Sequence, residues 1–329
     1  MKLIVNIPAF NEEEKIAETI ERIQKSFKAE FYRSGAGRVI TKKLIQLVDD
    51  GSDDKTVYFA KKAGVDLIVS YKPNRRLAYA FKQGAENALQ EGVDFFVNID
   101  ADGQFDPEEI PLLLGPVINK EADMVVANRF AQYKAQGIPW IKSFLNQFAA
   151  KGISFFLGVK IDDLTCGFRA HSREALLRLN LVNLHFTYTQ ETIIDAIGKR
   201  LSIKWVPVNV TYFADRQGKI TKSLSKFILN GFKIILKAIR DVQPLKFFGW
   251  PAAIFCLVGV GGFFLFLVQY FQEFKISPYL NLIIFSALSL FLGVQFLIFA
   301  LIADMIKGSR QLTEEVLYRQ KKENYKVTK

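Results

Sequence analysis

Two uninterrupted runs in the C-terminal third of this chain, Phe247–Gln272 and Ile276–Ala303, contain no charged residue. Each exceeds the ~20 apolar residues needed to cross the hydrocarbon core of a bilayer. Glu273 and Lys275 are the charges in the connection between them, which also carries Pro278. The pair predicts a transmembrane helical hairpin over 247–303, with spans at 247–271 and 279–303. Seven Lys/Arg against one acid lie between Lys219 and Lys246, and seven against four acids follow from Asp304 onward. Basic flanks stay on the cytoplasmic side, so both termini and the large domain ahead of the hairpin are expected there. At the N-terminus, Met1-Lys-Leu-Ile-Val-Asn-Ile7 leads straight into Pro8 and an acidic turn, a poor match to a signal peptide.

The same distribution accounts for the net charge of +11. Positive charge gathers beside the apolar runs, which favours a membrane surface and gives little support to nucleic-acid binding. With 23 % charged residues overall, the chain is neither a disordered tail nor a purely membrane-embedded protein. Cys166 and Cys256 lie in unlike settings, and His171 and His185 are the histidines, so a disulfide framework or a histidine-rich metal centre is not expected. The expected organisation is a domain at 1–215, a basic juxtamembrane amphipathic helix at 216–246, the hairpin, and a basic tail at 304–329.

In the first domain, short apolar runs alternate with helical patterns. Leu3–Ile7, Leu44–Val48, Leu67–Val69, Phe95–Ile99 and Met124–Ala127 read as strands. A first helix is expected after Asn11, capped by it with Glu14 three positions on, and burying Ile16, Ile20, Ile23 and Phe27. Leu77–Gln90 and Glu108–Ile118 read as further helices. This alternation predicts an α/β domain, a Rossmann-like, mainly parallel sheet with helices on both faces. Ile138–Phe156 and Lys222–Arg240 are amphipathic, and the second, basic one is expected in the lipid interface.

Ligands of such sheets bind beyond the carboxyl ends of the strands, and there the chain places acids. Asp49-Asp50 follows the second strand and Asp100-Ala-Asp102 the fourth. Asp106, before Pro107, reads as a helix N-cap, and Glu108 and Glu109 suit a helix N-terminus. Asp100 and Asp102 have no such explanation. A turn helped by Gly103 can bring both toward one ion, and Mg²⁺-type cations are held by one or two carboxylates plus substrate phosphates.

Pro8-Ala-Phe-Asn-Glu12, Val48-Asp-Asp-Gly-Ser52 and Asp100-Ala-Asp-Gly-Gln104 resemble the signatures of family-2 glycosyltransferases with a GT-A fold. Ala127-Asn-Arg-Phe130, Asp163-Leu-Thr-Cys-Gly-Phe-Arg169 and Asp215-Arg-Gln-Gly-Lys-Ile-Thr-Lys222 narrow the resemblance to the polyprenyl-phosphate glycosyltransferases. It covers roughly residues 1–245. The resemblance implies that Pro8, Phe10, Glu12, Val48, Asp50, Ala101 and Gln104 surround the nucleotide-sugar donor. It implies that Asp100 and Asp102 hold Mg²⁺ or Mn²⁺ with the diphosphate. Arg129, Lys142, Arg216 and Lys222 would meet the phosphate of donor or lipid acceptor. The chain departs from the family at Arg76, where glycine is common, at Phe10, where tyrosine is frequent, and at Gly218 and Thr221 in the last motif.

The implied reaction is transfer of one hexose, from a donor of the UDP-glucose or GDP-mannose type, to undecaprenyl or dolichyl phosphate. A rival reading makes Glu191 the base for transfer to a sugar hydroxyl, which stays protonated at neutral pH. Another makes the chain a non-catalytic membrane subunit. Gly259, Gly261 and Gly262 permit close helix packing and leave a homo-oligomer open.

Overall fold

The computed structural model describes residues 1–130, 147, 150–155, 157–181, 188–211, 236–237 and 239–326. Two compact units emerge, 1–231 together with 316–329, and 232–315. The amphipathic segments around 138–156 and 222–240 fall largely outside the described residues, as do Lys142, Arg216 and Lys222.

The first unit is built on β1 (Lys2–Ala9), β2 (Lys42–Asp49), β3 (Leu67–Ser70), β4 (Phe95–Asn98), β5 (Met124–Asn128), β6 (Arg169–Ser172) and β7 (Ile203–Pro207). They form one sheet in the order β3-β2-β1-β4-β6-β5-β7. β1 pairs in parallel with β2 and β4, β2 with β3, and β5 with β7, while β6 runs antiparallel between β4 and β5. β1 is an interior strand, and its residues Leu3, Ile4, Val5 and Ile7 are fully buried, as expected of a strand covered on both faces. The flanking helices are α1 (Ile16–Ser26), α2 (Thr56–Lys62), α3 (Leu77–Gln90), α4 (Ile110–Ile118), α5 (Arg173–Arg178) and α6 (Tyr188–Gly198). Ile4, Phe81, Phe96, Leu176 and Tyr188 share one core cluster beneath α3.

The five expected strands and α3 are present, and β6, β7, α2, α5 and α6 are additions. The start of α1 differs. The helix begins at Ile16 with Lys15 at its N-cap and no side-chain cap. Asn11 instead has φ 54°, and its Oδ1 accepts from the Asp53 N–H at 3.0 Å. Its side chain joins two loops, so it is not available to the helix. Asp106 does cap as expected, accepting from the Glu108 N–H at 2.9 Å ahead of Pro107.

The second unit contains α7 (Pro244–Glu273) and α8 (Leu280–Asn324) as far as Glu315. Both helices are long and apolar enough to cross a membrane, and only 17 % of the most apolar window of each is buried. Their contact uses small residues. A Cβ on Gly262 would lie 2.4 Å from Ser286 Oγ, and one on Gly259 2.7 Å from Leu290 Cγ, whereas one on Gly261 meets nothing within 4 Å. Such residues let helix backbones approach, and Gly259 and Gly262 serve the hairpin's own contact.

The last part of α8 belongs to the first unit. Tyr318 and Tyr325 pack against its core cluster. Lys321 Nζ donates to Leu179 O at 2.9 Å and to Asn180 Oδ1 at 2.8 Å.

Candidate active site

Because β1, β2, β4 and β5 are parallel, their carboxyl ends share one edge, and β1 and β4 are neighbours although remote in sequence. This is the topological switch point at which open α/β sheets bind ligands. The loops after β1 and β2 are laced together there. The Asn11 N–H donates to Ser52 Oγ at 3.0 Å, and the Glu12 N–H to Thr56 Oγ1 at 2.8 Å. Pro8 and Val48 sit side by side in register, buried in their strands, while Phe10 is 43 % exposed just beyond β1.

Asp49 and Asp50 are both buried but differ in use. Asp49 is occupied by its own turn, accepting from the Ser52 N–H at 3.0 Å and the Ser70 hydroxyl at 2.6 Å. Asp50 Oδ1 accepts from the Arg75 N–H at 2.8 Å, which brings the loop before α3 to the same edge. Arg76 closes that loop with φ 72°, a backbone region that glycine enters at no steric cost. This chain places an arginine there.

After β4 the chain turns through Ala101, which is buried and accepts from the Thr19 hydroxyl through its carbonyl at 3.2 Å. Asp102 Oδ1 accepts from the Gln104 N–H at 3.0 Å, and Gln104 O from the Thr211 N–H at 3.0 Å. Asp100 points inward. Its Oδ1 is buried and has no hydrogen-bond donor among the described residues. Gly167 lies against the carboxylate, so close that a Cβ there would be 2.8 Å from Oδ2 and 3.1 Å from Oδ1. Burial, then the charge of Asp102, pushes the Asp100 carboxyl up to about 7, against the opposing charges of Arg129 and Arg169.

A buried, undonated carboxylate oxygen beside a second carboxylate fits a hard divalent cation. Among the described residues no group of three or more His, Cys, Asp or Glu side chains could hold a metal.

Arg129 follows β5 on the same edge. Its Nε donates to Asp163 Oδ2 at 2.7 Å and its Nη2 to Asp163 Oδ1 at 2.9 Å and Thr165 Oγ1 at 2.5 Å. With 10 % of its side chain exposed and Asp163 fully buried, this two-point pair fixes the guanidinium firmly. Glu191 lies in the first turn of α6.

Sequence reasoning missed a row of polar side chains under the site. Gln46, Asn6, Asn98 and Arg169 stand opposite one another across β2, β1, β4 and β6, all fully buried. Gln46 Nε2 donates to Asn6 Oδ1 at 2.7 Å, and Asn6 Nδ2 to Asn98 Oδ1 at 2.8 Å. The available signal was an amide in the middle of each apolar run, Val5-Asn6-Ile7 and Ile45-Gln46-Leu47.

A mainly parallel sheet with an acidic turn at its switch point is the architecture of the GT-A fold. Residues 4–179 match Glycosyl transferase family 2, and the chain belongs to that family. An uncharacterized protein of Methanocaldococcus jannaschii is 31 % identical over 244 residues, spanning 73 % of this chain and 92 % of that one. The polyprenol monophosphomannose synthase of Mycolicibacterium smegmatis is 28 % identical over 249 residues, spanning 73 % and 88 %. Among solved structures, glucosyl-3-phosphoglycerate synthase from Mycobacterium tuberculosis with UDP superposes with a TM-score of 0.52 at 21 % identity. That match covers 72 % of this chain and 80 % of that one, and attests the fold. The protein is a glycosyltransferase.

Proposed function

We propose that this glycosyltransferase is an integral membrane protein that moves one hexose from a nucleotide-diphosphate sugar to the phosphate of a polyprenyl phosphate, with inversion and with Mg²⁺ or Mn²⁺. The observation that carries the donor half is Asp100 Oδ1, buried without a donor among the described residues and beside Asp102 at the switch point. The acceptor half is supported by the mycobacterial relative, which is named for that chemistry, and by the two apolar helices.

A cation held by Asp100 and Asp102 supplies charge neutralisation to the leaving diphosphate. Asp50, with Pro8, Phe10, Glu12 and Val48 around it, lines the donor's nucleotide end, and Ala101 and Gln104 shape the turn beside the diphosphate. A lipid phosphate is already ionised near neutral pH, so the chain has no proton to remove from it. Its task is to orient that phosphate and offset its charge. Arg129, fixed by Asp163, does so from the described part of the site, and we assign the same task to Lys142, Arg216 and Lys222. Direct displacement at the anomeric carbon inverts it.

We further propose that the catalytic domain and both termini are cytoplasmic. The bonds of Tyr318 to Glu174 and of Lys321 to Leu179, all within the first unit, support a return of the chain to the side on which its N-terminal part lies.

The test uses detergent-solubilised protein, polyprenyl phosphate, Mn²⁺ and separately labelled UDP and GDP sugars. The expected result is label from one donor passing into organic solvent, and its loss in Asp102→Ala. Label confined to water-soluble or polymeric product would overturn the lipid-phosphate acceptor in favour of hydroxyl transfer with Glu191 as base. No turnover with any donor would count for a non-catalytic subunit.

A further inference from the structure

Arg169 is completely buried, and its hydrogen-bond acceptors among the described residues, two carbonyls and a hydroxyl, are all neutral. Its Nε donates to Cys166 O at 2.7 Å, its Nη2 to Thr189 O at 2.7 Å, and its Nη1 to Thr192 Oγ1. Burying a cation whose hydrogen bonds go to neutral acceptors is costly, although the charges of Asp163 and Asp100 act on it favourably. A strand that needed only to fill space here would use an apolar side chain. The guanidinium does what no apolar residue can, because its fork of donors joins three separate points of the backbone and α6.

One of those points frames the site. Cys166 O is taken by Arg169, and the next carbonyl, Gly167 O, accepts from Asn98 Nδ2 at 3.1 Å. Consecutive carbonyls of one turn are thus held from β6 and from β4. The α-carbon between the two bonds is that of Gly167, against which the Asp100 carboxylate rests. The other two partners, Thr189 and Thr192, belong to the first turn and a half of α6. Asn98 in turn is anchored through Asn6 and Gln46 to Asn87 of α3, whose Nδ2 donates to Gln46 Oε1 at 2.7 Å.

We propose that Arg169, together with Asn98, is a positioning residue that holds the Cys166–Gly167 turn as the floor beneath Asp100 and ties the start of α6 to that floor. The inference rests on the reading of Asp100 as a metal ligand. It assigns a role to the last residue of the Asp163–Arg169 motif that neither substrate contact nor an ion pair accounts for.

The test is the affinity of full-length, detergent-solubilised protein for Mn²⁺ in the presence of the nucleoside diphosphate of the accepted donor, read from the electron paramagnetic resonance of free Mn²⁺. Arg169→Lys keeps a cation but cannot reach three acceptors. It should raise the Mn²⁺ Kd by about tenfold, the scale seen when residues supporting a metal ligand are changed. Thr192→Val removes one acceptor without altering volume and should raise Kd by about threefold, while Thr192→Ser should restore it. Arg173→Lys, which disturbs a similar set of backbone contacts to Val93 O and Tyr325 O away from the site, should leave Kd unchanged. Wild-type Kd values in folded Arg169→Lys and Thr192→Val would overturn the inference. If Arg169→Lys does not fold, Thr192→Val decides alone, and a Kd within about twofold of wild type overturns it. Absence of Mn²⁺ binding in the wild type is a different outcome. It removes the metal reading itself, and this inference with it.

Discussion

Gly167 and Asp100 are in contact that only glycine permits: a Cβ at residue 167 would stand 2.8 Å from Asp100 Oδ2. The Asp100 side chain enters its buried position because this space is left open. Gly167→Ala would therefore displace the carboxylate without introducing charge. We expect activity to fall by about two orders of magnitude, the cost of misplacing a reacting group by about 1 Å. The melting temperature should change by only a few degrees. Parallel measurements of kcat and thermal unfolding check this, and full activity in Gly167→Ala would refute it.

Gly84 plays the same part for the amide row. A Cβ there would lie 2.4 Å from Asn6 Oδ1, and the Gly84 carbonyl accepts from Gln46 Nε2 at 2.9 Å. Alanine favours a helix interior by about 1 kcal/mol over glycine. Overpacking a rigid core costs about 1–3 kcal/mol, and Asn6 cannot give way because Gln46 and Asn98 hold it from both sides. The clash should win. Gly84→Ala should be net destabilising by about 1–2 kcal/mol, read as a lower urea midpoint, and a higher midpoint would show that the row yields.

These two glycines mark the boundary of what could be read from residues alone. Five strands were legible because apolar runs such as Leu3–Ile7 end in turn residues, and Leu77–Gln90 was legible from its helical period. β6 was not, because Arg169 and His171 break its apolar pattern and are buried only by tertiary packing. The start of α1 was misread because Asn11, a good cap by type, has a stronger local use in bonding Asp53. The placement of Asp100 and Asp102 at a strand tip on the sheet's carboxyl edge was legible too. The floor beneath Asp100 was not, since close approach and carbonyl capture leave no spacing rule in a sequence.

His171 predicts a pH dependence of folding. It is fully buried on β6, with the Phe81 and Phe96 rings at 5.8 and 6.0 Å. Burial, and then the charge of Arg169, brings its pKa down to about 3. The folded protein keeps it neutral, whereas an unfolded chain protonates it near pH 6.5. Between these values the unfolded state binds the extra proton, so this contribution is complete above about pH 6.5 and is lost as pH falls toward 3. The slope is about 1.4 kcal/mol per pH unit. His171→Leu should therefore be more acid-tolerant than wild type, by about 2 kcal/mol at about pH 5 relative to the difference at neutral pH. Denaturant midpoints at the two pH values measure this, and parallel pH profiles would refute it.

The end of α8 is expected to support the domain it touches. Tyr318 donates through its hydroxyl to Glu174 Oε2 at 3.1 Å, and the Arg178 guanidinium lies 4.3 Å over its ring. Lys321 is mostly buried and serves two acceptors, Leu179 O and Asn180 Oδ1. Burial holds its pKa below the ordinary lysine range, yet a charged donor remains the natural partner for both oxygens. Lys321→Ala leaves those oxygens without their donor and should cost about 1–3 kcal/mol, or about 2–4 °C of melting temperature per kcal/mol in a domain of this size. Deleting the chain after Glu315 also removes the packing of Tyr318 and Tyr325 and should cost more than the single change. Equal melting temperatures for wild type, Lys321→Ala and the deletion would show that the contact carries no stability. Reporters fused at the two termini should lie on the same side of the membrane, since Tyr318 cannot reach Glu174 from the opposite face.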